Sequence, residues 1–134
     1  MNLKIFDKEY RHRFEVTESV YKAFQACSGD MNPMHVDAAF AQAKGFEECV
    51  MYGNILNAFV SYFVGMMLPS PDVMIVSQDI DFHKPVYIND VIDFQAKIAN
   101  VSEAVGIVEF KYKFLKDSKT IAKRGVSIKI MNAQ

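Results

Sequence analysis

The sequence predicts an α+β fold in which a strongly curved antiparallel sheet wraps around one long central helix. The first observation is a segment from Gly53 to Leu68 that is apolar nearly all round a helix, which is typical of a helix enclosed by other structure. The second is a period-2 alternation of apolar and polar residues in several stretches after Pro69. Since each element offers an apolar surface, we expect the sheet to cover the helix.

The first part of the chain predicts a strand followed by a helix. Residues 8 to 16 alternate, with Tyr10 and Phe14 on the apolar face. Thr17 offers a hydroxyl to cap a helix that runs to Ala26. Gly29 then suits the left-handed backbone at a helix exit.

Asp37 can cap a short second helix that runs through Ala43. The central helix follows. The later strands are predicted around residues 80–82, 92–98, 108–114 and 126–130. Asp117 and Ser118 fit a tight hairpin turn between two of these strands, which supports an antiparallel order.

Length and composition predict a single domain over residues 1–134. The chain has 134 residues, of which 51% are hydrophobic, enough for one core. Its net charge of −1 leaves no electrostatic footprint for nucleic acid or an anionic membrane, so neither is expected as a partner. Asn54, Asn57 and Ser61 interrupt the apolar run, which argues against a membrane span.

The cysteines and histidines indicate neither a disulfide nor a metal site. Cys27 and Cys49 lack a paired spacing, so we expect reduced, buried thiols in a cytoplasmic protein. His12, His35 and His83 lie far apart, and no CxxC or HxxxH occurs.

The stretch "SGDMNPMH" brings an acid, an amide and an imidazole within six positions: Asp30, Asn32 and His35. Pro33 stiffens the loop by fixing its own φ and restricting Asn32. A carboxylate and a neutral imidazole can share one water and exchange protons with a substrate. Asp, Asn and Pro are also ordinary turn residues, and taken alone the stretch favours a surface loop.

The central helix carries a polar stripe, since Asn54, Asn57 and Ser61 stand at i, i+3 and i+7. Such a stripe either bonds within the core or lines a cavity. Gly53, at the helix start, lets a ligand approach backbone N–H groups at the positive end of the helix dipole. An oxygen that gains negative charge can be held there.

Three segments together resemble the MaoC-like dehydratases, the (R)-specific enoyl-CoA hydratases: "SGDMNPMHVDAAFAQAKGFEE", "YGNILNAFVSYFVGMMLP" and "DFHKPVYINDVI". The resemblance spans about residues 17 to 130. It implies the hot-dog fold. It also implies a homodimer or higher homo-oligomer in which the sheets of two subunits join and substrate enters near their interface.

The resemblance also implies roles for single residues. Asp30 and His35 match the catalytic pair, which shares the water added across a 2-enoyl thioester. Asn32 matches the amide of the motif, which steadies the loop or the pair. Gly53 matches the glycine whose N–H receives the thioester oxygen, and Ser61 matches a helix serine that orients the aspartate.

One position departs from the family pattern, which usually has His-Gly where this chain has Tyr52-Gly53. Tyr52 is therefore expected to orient the site or contact substrate, and Asn57 is expected to do so as part of the polar stripe. The departure affects the shape and polarity beside Gly53 and hence the choice of substrate.

The leading interpretation is a lyase that interconverts 2-enoyl-CoA and (R)-3-hydroxyacyl-CoA, or the acyl-carrier-protein thioesters, without a metal or redox cofactor. One alternative is a hot-dog acyl-CoA thioesterase, which would also use a carboxylate and a helix-start N–H. The other is a non-catalytic module that binds acyl thioesters. The sequence leaves the acyl length and the carrier open.

Overall fold

A computed structural model describes residues 5–131. Within these residues, four α-helices precede most of the sheet. They are α1 (Glu18–Ser28), α2 (Pro33–Val36), α3 (Ala38–Ala43) and α4 (Ile55–Tyr62), the last continued by a π-helical turn over Phe63–Met67. Three predicted capping residues act as expected: Thr17 and Asp37 accept hydrogen bonds from the first turns of α1 and α3, and Gly29 closes α1 with φ 70°.

In the described part of the chain, five strands form one antiparallel sheet in the order β1-β3-β4-β5-β2. They are β1 (Glu9–Glu15), β2 (Val73–Phe82), β3 (Val91–Ser102), β4 (Ile107–Lys116) and β5 (Lys119–Ile130). The β4–β5 hairpin turns at Asp117 and Ser118, which both have positive φ, as a tight primed turn requires. The predicted hairpin is therefore confirmed, and β1 and β2 are the two edges of the sheet.

The core lies between one face of the sheet and α4 with its π-helical turn. The inward residues of β3 and β4 are almost fully buried, as the period-2 pattern predicts: Ile92, Phe94, Ala96, Val108, Phe110, Tyr112 and Phe114. Ile55, Phe59 and Phe63 meet them from the helix side. Phe63 packs its ring against Phe94 and Phe110, with centroids 5.1 and 5.2 Å apart. The predicted α+β arrangement is thus confirmed.

The structure differs from the prediction at the central helix, which is not enclosed all round. Met66 is 71% exposed and Tyr62 41% exposed, so one side of the helix lies outside the core of the described chain. The helix also changes from α to π geometry at Phe63. Among the described residues, no helix has the length and apolar character needed to cross a membrane.

The prediction of buried cysteines was wrong for Cys27, which is exposed, while Cys49 is half-buried. Cys27 lies on α1, and none of the residues of that helix is fully buried. The helix rests on the surface of the core, so its small apolar residues need not point inward.

Candidate active site

The loop after α1 holds Asp30 and His35 at short range. Asp30 Oδ1 accepts the N–H of Asn32, and Asn32 Oδ1 accepts the N–H of Met34, both at 2.9 Å. Asn32 thereby caps α2, whose first residue is Pro33. This single helical turn was not predicted. The turn brings the His35 side chain back toward Asp30, so that His35 Nε2 lies 3.8 Å from Asp30 Oδ2.

The hydrogen bonds around His35 determine where its proton lies. Nδ1 is 2.7 Å from the main-chain carbonyl oxygen of Val50, which can only accept a hydrogen bond. Nδ1 therefore carries the hydrogen in the neutral ring. Nε2 is left with a free lone pair on the side that faces Asp30.

The gap between the two side chains is suited to a shared water. At 3.8 Å, Nε2 and Oδ2 are too far apart for a direct hydrogen bond, whereas one water can contact both. The Asp30 side chain is 45% exposed and that of His35 only 19%, so the pair lies at the surface with its carboxylate outward. A substrate can reach the pair without rearrangement of the core.

Tyr52 contacts both members of the pair. It is 2% exposed, its hydroxyl donates to the main-chain carbonyl of Asp30, and its ring stacks on the His35 imidazole with centroids 4.2 Å apart. Gln25 of α1 donates through Nε2 to the Tyr52 hydroxyl at 3.1 Å. Tyr52 therefore lies beneath the Asp30–His35 pair and contacts both residues, rather than facing the solvent.

A second tyrosine, Tyr21 of α1, holds the other end of the loop. Its hydroxyl donates to the main-chain carbonyl of His35, and its ring lies 5.1 Å from that of Tyr52. Burial, followed by the neighbouring Tyr52, raises the pKa of Tyr21 to about 12. Neither Tyr21 nor Gln25 was singled out from the sequence, because both are ordinary residues of an amphipathic helix.

Gly53 precedes α4, and its N–H has no acceptor among the residues that the structure describes. An added Cβ would lie 3.1 Å from Cε1 and 3.3 Å from Cζ of Phe82. The Phe82 ring, itself 51% exposed, thus covers the backbone at this point. Only a glycine allows so close an approach without displacement of the ring.

A largely apolar cavity of about 320 Å³ opens beside Gly53. Its walls include Val50, Leu56, Phe82 and Val86, and His83 and Lys84 supply polar groups. Val50 belongs to both the cavity wall and the hydrogen bond to His35, so the cavity adjoins the pair. A mostly apolar chain with one polar end fits such a lining.

Comparison with known proteins identifies the family. The family model for the MaoC like domain matches residues 4–116, most of the chain. The chain belongs to this family. The resemblance drawn from the three sequence segments is therefore confirmed.

Individual MaoC-like proteins are similar over much of the chain. An (R)-specific enoyl-CoA hydratase from Aeromonas caviae is 27% identical over 106 residues, 79% of each protein. A 3-hydroxybutyryl-CoA dehydratase from Methylorubrum extorquens is 29% identical over 87 residues, 65% of this chain and 55% of that relative.

The fold is also that of the solved MaoC-like structures. An (R)-hydratase from A. caviae involved in PHA biosynthesis superposes with a TM-score of 0.85 at 23% identity, over 93% of this chain and 96% of that one. The predicted hot-dog fold is confirmed.

The polar stripe of this MaoC-like domain does not reach the pair. Asn57 Nδ2 donates to Asn54 Oδ1 at 2.8 Å, and Asn57 Oδ1 accepts from Gln78 of β2. Ser61 is exposed. In the described residues, none of the three makes a hydrogen bond to Asp30 or His35. The stripe links α4 to an edge strand, and the orienting roles expected of Asn57 and Ser61 remain predictions.

Among residues 5–131, no group of three or more His, Cys, Asp or Glu side chains is placed to hold a metal ion.

Proposed function

We propose that this chain is an acyl-thioester hydratase or dehydratase, a lyase that interconverts 2-enoyl-CoA and (R)-3-hydroxyacyl-CoA. The observation that carries the proposal is the Asp30–His35 pair, held one water apart beside an apolar cavity and the Gly53 N–H, which has no acceptor within residues 5–131. Membership of the MaoC-like family and the names of the relatives support the same reaction.

In the hydration direction, the pair binds a water between Nε2 of His35 and the carboxyl group of Asp30. One group takes a proton from the water as its hydroxyl adds to C3 of the enoyl chain. The pair then delivers this same proton to C2, so both groups end in the state in which they began. Both protons and the oxygen of the water enter the product, and dehydration is the same path reversed.

Addition at C3 drives electrons onto the thioester carbonyl, whose oxygen becomes enolate-like. The Gly53 N–H is free to donate to this oxygen, and the start of α4 places a partial positive charge nearby. The Gly53 N–H and the start of α4 can stabilise the negative charge on the thioester oxygen, and the Asp30–His35 pair can carry the proton. We therefore propose that the reaction needs no metal or redox cofactor.

The cavity supports an acyl chain as the group that is bound. Its walls are mainly aliphatic and aromatic, and its volume of about 320 Å³ suits a short to medium chain. CoA and acyl carrier protein are both candidate carriers, since the relatives include an (R)-specific enoyl-CoA hydratase and a 3-hydroxyacyl-[acyl-carrier-protein] dehydratase.

We also propose a homodimer as the working assembly. The β2 strand is an edge with one hydrogen-bonded neighbour, and Met74, Val76 and Phe82 on it are exposed. Light scattering should give twice the chain mass of 15.2 kDa. A monomer would refute the dimer but not the reaction.

We also propose a cytoplasmic location. Cys27 and Cys49 are both free thiols, and Cys27 is exposed, which suits a reducing compartment. Fractionation of cells that produce the native protein tests the location.

The test of the reaction is turnover of crotonyl-CoA and longer 2-enoyl-CoAs, followed by loss of the enone absorbance and by chiral analysis of the product. The proposal predicts (R)-3-hydroxyacyl-CoA without free thiol. Release of free CoA would indicate a thioesterase instead. Saturable binding of the same esters without conversion would indicate a binding module.

A further inference from the structure

We propose that Tyr21 and Tyr52 are positioning residues that together set the separation between Asp30 and His35. Each hydroxyl donates to the main-chain carbonyl of one member of the pair: Tyr21 to His35 and Tyr52 to Asp30. The proposal rests on the proposed function of that pair, and it assigns the Tyr52 departure from the family pattern a specific task.

The two tyrosines belong to parts of the chain outside the loop that they hold. Tyr21 lies on α1 and Tyr52 just before α4, and their rings are in contact with centroids 5.1 Å apart. The Tyr52 ring also stacks on His35. The loop is thus fixed at both ends to one aromatic cluster, so its two functional side chains move with the same support.

The direction of each hydrogen bond is determined by its surroundings. Gln25 Nε2 donates to the Tyr52 hydroxyl oxygen at 3.1 Å, so the hydroxyl hydrogen is left for the Asp30 carbonyl, which can only accept. The pKa of Tyr21 is raised to about 12, chiefly by burial, so its hydroxyl stays a donor from neutral pH to well above pH 10.

Such positioning affects rate more than binding. Tyr52 is 2% exposed and is absent from the described cavity wall, so it is not expected to touch an acyl chain. The 3.8 Å gap between Nε2 and Oδ2 admits one water, and a change of about 1 Å in such a geometry can lower the rate by about 100-fold.

The test compares Tyr52→Phe and Tyr21→Phe with a matched control, Tyr112→Phe. The Tyr112 hydroxyl also donates to a main-chain carbonyl, that of Asp79 at 2.6 Å, but Tyr112 lies in the sheet. We expect each of the first two variants to lower kcat by about 10- to 100-fold with KM changed less than about threefold. The control should keep kcat within about threefold. Equal kcat losses in all three would overturn the proposal.

A second comparison separates positioning from general destabilisation. In an Asp30→Asn background, Tyr52→Phe should lower kcat by less than about threefold, because Tyr52 acts through Asp30. Loss by the same factor in both backgrounds would show that the hydroxyl does not act through the pair.

Amide hydrogen exchange gives a readout that is independent of activity. The amides of residues 30–35 should exchange at least about tenfold faster in Tyr52→Phe than in the wild type. In Tyr112→Phe, their exchange rates should equal those of the wild type. If the wild type turned over no enoyl thioester, the proposed function would fail, and exchange would still decide whether the tyrosines hold the loop. Wild-type exchange rates at residues 30–35 in both Tyr52→Phe and Tyr21→Phe would refute the proposal that the two tyrosines hold the loop.

Discussion

At the residue scale, the main-chain carbonyl of Val50 determines which nitrogen of the neutral His35 ring carries the proton. The Val50 carbonyl can only accept, so Nδ1 keeps the hydrogen and Nε2 is the basic nitrogen. The same logic applies to Asp30, whose Oδ1 accepts the Asn32 N–H while Oδ2 faces His35. Each of the two side chains thus has one atom held by the main chain and one atom that faces the other side chain.

Two substitutions of Gly53 distinguish the effect of its N–H group from the effect of an added side chain. Gly53→Ala adds a Cβ that must push the Phe82 ring aside, so it should narrow the cavity and raise KM, most for long chains. Gly53→Pro adds the same carbon and removes the N–H. Its kcat should fall a further 10²- to 10³-fold, equivalent to about 2.7–4 kcal/mol.

Steady-state kinetics with short and long 2-enoyl-CoAs provides the measurement, with the alanine variant as the matched control and thermal melting as the check on folding. Equal kcat for the two folded variants would move the oxyanion site away from Gly53.

At the element scale, the strands and caps were predictable from local sequence. Period-2 alternation fixes which face of a strand is buried, and Thr17 and Asp37 act on N–H groups only three residues away. The α2 turn was missed because Asn32-Pro33 suits both an open turn and a capped helix start. The exposed side of the central helix was missed because apolar composition does not reveal how much of it the sheet covers.

The π-helical turn gives an element-scale prediction. Phe63 is fully buried and contacts rings from β1, β3 and β4. Phe63→Ala should therefore lower the free energy of unfolding by about 3–5 kcal/mol. Met66→Ala, in the same turn but 71% exposed, should change it by less than about 0.5 kcal/mol.

Urea denaturation at one protein concentration measures both changes. Similar losses in the two variants would mean that the exposed side of the helix is covered by something outside the described chain.

At the scale of the whole molecule, the site is an assembly of distant segments. Asp30 and His35 stand close in sequence, so their proximity could be predicted from a motif. Tyr21 reaches a carbonyl 14 residues away and Gln25 a hydroxyl 27 residues away. Such contacts have no local pattern, and they emerge only once α1 packs against the start of α4.

The alkaline stability of the molecule should depend on Tyr112, whose pKa burial raises to about 12 from 10.0. A raised folded-state pKa gives stability that is complete below pH 10 and is lost as pH rises toward 12. Between pH 10 and 12, the free energy of unfolding of the wild type should fall by up to about 1.4 kcal/mol per pH unit more than that of Tyr112→Phe. Urea unfolding between pH 9 and 11.5 gives both curves, and parallel curves would exclude the effect.

The most direct test of the central claim, that Asp30 and His35 share the reacting water, is the hydration rate of crotonyl-CoA by the wild type, Asp30→Asn and His35→Ala. Both variants are expected to melt like the wild type, and each is expected to lower kcat by about 10²–10⁴-fold. A folded variant of either residue that hydrates crotonyl-CoA at the wild-type rate would contradict it.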